Sequence, residues 1–196
     1  MAAHALLEEI GAPFDLIPTE IFTDRPDPDF LKISPNARVP ALLYEGETGW
    51  SGLCESGAIA FFLADRHPEA GLSLTNQDPR RGLYLQWLFY LSSTLQPDVL
   101  IQFHPEALFP DQERQKEIKD ASMARLSAVW RILNEAIEGP YMFGKQPTAC
   151  DHALGLQAIW PECFANSVEE FPKVAKLVQN LTERPAVKRI LTWHGY

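Results

Sequence analysis

The spacing of apolar positions changes once along the chain. Up to about residue 70 the apolar runs are short, mixed in period and punctuated by proline. Beyond about residue 80 they recur every three to four positions, the period of helices that bury one face. Residues 2–10 are strong helix formers, closed by Gly11 where a left-handed residue ends a helix. A short strand is expected over residues 14–17 after Pro13, a turn-rich loop over 23–28, and a helical turn over 30–33. Residues 38–44 read as a strand entered through Pro40, and 45–49 as a hairpin loop into Trp50. From Glu55 the pattern becomes an apolar helix through residues 58–64, stopped by His67-Pro68.

The polar, Gly-bearing stretch 71–81 is the natural linker, which divides the chain into residues 1–74, a linker at 75–81, and 82–196. In the second part Tyr84, Trp87, Leu88, Leu91 and Leu95 mark one face of a long helix ending before Pro105. Met123, Leu126, Trp130, Leu133 and Ile137 step alternately by three and four, a stripe that favours an antiparallel partner helix. Thr148 and Asp151 have the spacing of a capping box, and Ser167 with Glu170 repeats it for another helix. Phe171, Val174, Ala175, Val178 and Leu181 give that helix its buried stripe, and Pro185 opens a last short one. The predicted class is a small α/β domain followed by an all-α domain.

Composition narrows the function. With 46% apolar and 22% charged residues in 196, the chain is an ordinary globular protein with enough residues for a real core. Its 26 acidic side chains against 17 Lys plus Arg give a net charge of -9, which repels phosphate backbones and anionic lipid, so neither nucleic acid nor a membrane surface is an expected partner. The longest apolar run, residues 58–64, falls far short of the roughly 20 residues that span a bilayer, and residues 1–10 lack a basic leader. Three widely spaced cysteines, Cys54, Cys150 and Cys163, suit neither a disulfide framework nor a thiolate metal site, so the expected setting is the cytoplasm, with no metal.

The segment Arg38-Val39-Pro40-Ala41-Leu42 is followed fifteen residues later by Glu55-Ser56-Gly57-Ala58-Ile59, which opens a helix. Together with Ala5-Leu6-Leu7-Glu8-Glu9-Ile10-Gly11-Ala12-Pro13-Phe14 before them and the Thr148 to Asp151 cap after, these segments resemble the glutathione S-transferase family along nearly the whole chain. The resemblance implies a thioredoxin-like glutathione-binding domain over residues 1–74 joined to an all-helical domain over 82–196. It implies that Val39-Pro40 precedes a cis peptide and leaves the Val39 backbone to pair with the cysteinyl unit of glutathione. It implies that Glu55 and Ser56 hold the γ-glutamyl end. The chemistry suits that role, since a hydroxyl and free N–H groups at a helix start accept a carboxylate and a glutamate pairs with an ammonium. A serine there is also an ordinary N-cap, and that reading stays open.

In the family a strand precedes the first helix and a Ser, Tyr or Cys stands near that helix start. This sequence starts inside the helix, residues 1–5 carry no hydroxyl or thiol, and the first hydroxyl is Thr19. The first strand and the usual activating residue are therefore expected to be missing from it. His104, at the end of the long helix, either faces the cleft and acts on the thiol, as a histidine near there does in some bacterial relatives, or caps the helix. Cys54 either forms a mixed disulfide with glutathione or is a small buried apolar residue. Tyr84, Trp87, Tyr90 and Phe103 are candidates to line an apolar second-substrate pocket. The resemblance implies a cytosolic homodimer, with glutathione as co-substrate, that conjugates it to a small apolar electrophile in detoxification. Its thiol pKa would fall from about 8.5 toward neutrality. The rivals are a non-catalytic binding or interaction protein on the same fold and a glutathione-dependent disulfide reductase.

Overall fold

The structure, a computed structural model, describes residues 1–20, 23 and 25–196. Helix α1 spans Ala2–Ile10 and stops at Gly11, whose φ of 72° is the left-handed conformation expected of it. Residues 14–17 form no strand. Prolines bracket them, among the described residues no strand lies alongside to complete a ladder, and Ile17 is 74% exposed. The loop expected over 23–28 lies in part outside the described residues, and its end is helical: α2, Pro28–Ile33, is capped by Asp27, whose carboxylate accepts from Asp29 N.

Strands β1, Ala41–Gly46, and β2, Gly49–Cys54, pair antiparallel from Ala41 opposite Cys54 to Gly46 opposite Gly49. The loop is shorter than expected: only Glu47 and Thr48 lie outside the ladder, and Gly49, at φ 113°, makes the turn into β2. Helix α3, Ser56–Arg66, buries Ile59, Ala60, Leu63 and Ala64.

The chain then crosses to the helical part on a tethered segment. Asp65 accepts from Arg81 and from Ser73, Arg80 pairs with Asp78 at 3.0 Å, and Ala149 N donates to Leu72 O at 2.8 Å. The long helix expected after it is interrupted. Helix α4, Arg81–Tyr90, runs into a π turn over Leu91–Leu95 before α5, Gln96–Phe103, which has Pro97 in its first turn. Helix α6, Gln112–Ala136, buries Leu126, Trp130 and Leu133 as its stripe predicts. Helix α7, Ala149–Ala158, carries the predicted capping box. Ser167 does not start a long helix. It accepts from Glu169 N in a single turn, Val168–Glu170, because Pro172 is better placed to open α8, Pro172–Thr182. Helix α9 spans Pro185–His194.

The main core gathers α3 to α8, with Leu6 from α1 and Trp130 stacked on Phe164 at 4.8 Å. A second cluster joins Ala5 to Leu156, Leu181, Val187 and Ile190, so α1 also packs on the helical part. Among the described residues no helix is long and apolar enough to cross a membrane.

Candidate functional site

The loop leading into β1 is fixed by one side chain. Ser34 Oγ donates to Arg38 O at 2.8 Å and accepts from Arg38 N at 3.0 Å, closing the turn that presents Val39 and Pro40. The Val39-Pro40 peptide is cis, as expected, and Val39 is 49% exposed.

At the other end of the hairpin Glu55 sits at φ 71°, ψ 116°, a conformation costing on the order of 1–3 kcal/mol for a residue with a side chain. It turns the chain from β2 into α3 and takes the cap position, its side chain making no hydrogen bond to the helix. The first intrahelical bond runs from Ile59 N to Glu55 O at 2.9 Å, which leaves the N–H groups of Ser56, Gly57 and Ala58 unbonded within α3. Ser56 is therefore not the cap: its hydroxyl donates across to Gln96 Oε1 on α5 at 2.9 Å. The approach of α3 to the π turn is close. A Cβ at Gly57 would come 2.9 Å from Ser92 Oγ and 3.1 Å from Ser92 Cβ.

Between these elements lies a cavity of ≈ 190 Å³. Residues 1–3, Val39, Pro40, Ser56 and Gly57 line one side; Leu91, Ser92, Gln96 and Leu100, with Gln157 and Trp160, line the other. No Asp, Glu, His, Lys, Arg, Tyr or Cys side chain is among the described residues lining it. The lining hydroxyls are committed, Ser56 to Gln96 and Ser92 to Leu88 O and Phe89 O.

Three of the four sequence-predicted binding residues thus meet at one cavity, and Glu55, exposed, stands beside Ser56. His104 is placed elsewhere. It ends α5 with Nδ1 at 3.1 Å from Glu106 Oε1 and is not among the lining residues. The four aromatic candidates do not line the cavity either. Tyr84 is buried against Phe143, Trp87 packs on Tyr90, and Phe103 meets Trp160 edge-on at 5.3 Å, so Trp160 is the aromatic wall. Cys54 is partly buried at the end of β2, and all three thiols are free. Burial pushes Cys163 up to about 12 and Cys150 well above its ordinary value, which makes both inert. Among the described residues no cluster of three or more potential metal ligands occurs.

Two family descriptions match the chain: glutathione S-transferase, N-terminal domain, over residues 1–65, and glutathione S-transferase, C-terminal domain, over residues 98–192. The chain belongs to the glutathione S-transferase family. It is similar to glutathione S-transferase GstA of Escherichia coli O157:H7, 27% identical over all of this chain and 94% of that protein. It is also similar to the disulfide-bond oxidoreductase YfcG of Escherichia coli K12, 27% identical over 84% of this chain and 76% of that one. The fold matches a glutathione transferase homologue from Sulfitobacter, solved with bound glutathione, at a TM-score of 0.84 and 23% identity over 100% and 93% of the two chains. The hairpin followed by α3 is thus the end of a thioredoxin-like domain, and α4 to α9 form the helical domain of the family.

Sequence reading missed Gln96, Gln157 and Trp160 as lining residues. For Gln96 a signal existed: it breaks an apolar stripe immediately before Pro97. Gln157 and Trp160 carry no local mark, because only the packing of α7 brings them to the cavity.

Proposed function

We propose that this protein binds glutathione in the cavity between α3 and α5 and transfers its thiolate to a small apolar electrophile, in detoxification. The observation that carries the reading is the junction of Val39-Pro40 and Ser56 at one cavity under unbonded N–H groups of α3. Glutathione carries charges of both signs at its γ-glutamyl end. The N–H groups and the Ser56 hydroxyl suit its carboxylate, and the Glu55 carboxylate suits its ammonium. The apolar wall of Leu91, Leu100 and Trp160 suits an electrophile without charge.

His104 lies outside the cavity lining, so as candidate base it would serve a thiol that reaches past that lining toward the end of α5. A second reading, reduction of glutathione mixed disulfides, is favoured by the likeness to a disulfide-bond oxidoreductase. Rates with a chloronitroaromatic electrophile and with a mixed disulfide separate the readings. Conjugation that depends on glutathione, and that falls about 10²-fold in His104→Ala, is expected. Disulfide reduction without conjugation would install the second reading, and binding without either reaction a non-catalytic protein.

We further propose a cytoplasmic homodimer, with the domains divided at residues 74 and 82. Tyr84 and Leu88 turn inward on α4, so the pairing face is instead the one carrying Leu83 and Phe89, 47% and 67% exposed. Closed two-fold pairing would cover it. Sedimentation at micromolar concentration should give twice the chain mass, and a lone monomer would refute the pairing.

A further inference from the structure

Gln96 is held where two otherwise separate elements meet. It follows the π turn directly and has Pro97 behind it, so its place is set by backbone that departs from regular helix. The opposing start of α3 is fixed as well, because Gly57 leaves no room for a side chain against Ser92. Across this gap the Gln96 carboxamide uses one of its four hydrogen-bonding positions. Oε1 accepts from Ser56 Oγ, whereas among the described residues Nε2 has no partner, and the side chain is partly exposed at the cavity. The Ser56 hydroxyl makes no other hydrogen bond among the described residues, and in this arrangement it donates to Oε1.

A hydroxyl has one proton to donate. When a carboxylate arrives at Ser56, either it takes that proton and leaves Gln96 Oε1 unpaired, or the amide offers the carboxylate a donor of its own. We propose that Gln96 is a positioning and ligand-reading residue of this site: Oε1 holds the Ser56 hydroxyl in the free protein, and Nε2 donates to the carboxylate that Ser56 and the α3 N–H groups receive. This rests on the reading that the cavity takes glutathione. It favours an anionic terminus there, because a carboxylate accepts from the α3 N–H groups and from Nε2 together. The charged groups near Gln96 are few. Glu55 stands at the α3 cap, Met1, the residue before α1, lines the cavity, and Asp98 on α5 is committed to Arg125.

The test is calorimetric titration of the full chain with reduced glutathione, for the wild type, Gln96→Glu and Gln96→Leu, at pH 8 and pH 5. The glutamate keeps the shape but replaces the donor with a carboxylate, so binding should weaken at least tenfold at pH 8 and recover several-fold at pH 5 as the acid is protonated and regains a donor. Gln96→Leu should weaken binding at both pH values in parallel with the wild type, which carries whatever Glu55 and the Met1 amine contribute. A merely structural role would lower the unfolding midpoint without this pH recovery. Wild-type affinity in Gln96→Glu at pH 8, or a loss that ignores pH, overturns the proposal while the glutathione reading stands. If Gln96→Glu does not fold, wild-type affinity in Gln96→Leu overturns it alone. A wild type that binds no glutathione overturns both.

Discussion

A serine in front of an apolar helix ordinarily caps it, and here the cap position belongs to Glu55, one residue earlier, so that Ser56 keeps its hydroxyl for a partner across the cavity. A one-residue shift separates the structural from the binding use of the same side chain. Glu9 shows the opposite case, a charge committed to structure. It is nearly buried on α1, receives Arg184 Nε and Nη2 at 2.5 and 2.6 Å, and stands 3.5 Å from His152 Nε2 on α7. Burial pulls its carboxyl up, but the hydrogen bonds from Arg184 and His152 outweigh burial and hold it at about 2. A folded-state value below the unfolded one adds stability that is complete above about pH 4.5 and lost as the pH falls toward 2. Glu9→Gln should therefore cost about 2 kcal/mol at pH 7 and flatten the acid limb below pH 4.5. Urea unfolding across that range checks it, and parallel limbs for the two proteins would contradict it.

At the scale of elements, what was legible depended on whether the signal was local. The capping box is legible because both partners sit in one turn: Asp151 accepts from Thr148 N at 2.7 Å and Thr148 Oγ1 at 2.8 Å. The stripe of α6 and the Gly11 stop are legible for the same reason. Residues 14–17 have strand composition, but a strand needs a neighbour and among the described residues none lies beside them. The π turn at Leu91–Leu95 is invisible to periodicity, since one residue of slip leaves the apolar stripe almost unchanged: Leu91 and Leu95, its first and last residues, are both buried. The Ser167 spacing imitates a capping box, and Pro172 overrides it by starting the helix later.

Taken as a whole molecule, the site is a seam. Residues of the small domain supply Val39, Pro40 and Ser56, and helices packed by the large core supply Gln96, Leu100, Gln157 and Trp160. The first half was readable from the order of motifs along the chain. The second was not, because Ser56 and Gln96 lie 40 residues apart and meet only after α3 packs against the π turn. The same logic explains why His104 stood out in the sequence and yet ends α5 away from the cavity lining.

A glutathione site at this seam is checked by titrating the protein with reduced glutathione alongside Ser56→Ala. The expected result is a one-site isotherm for the wild type, weakened at least tenfold in the variant, a loss of about 1.4 kcal/mol, with both proteins equally folded. No binding by the wild type, or equal affinity in Ser56→Ala, would contradict it.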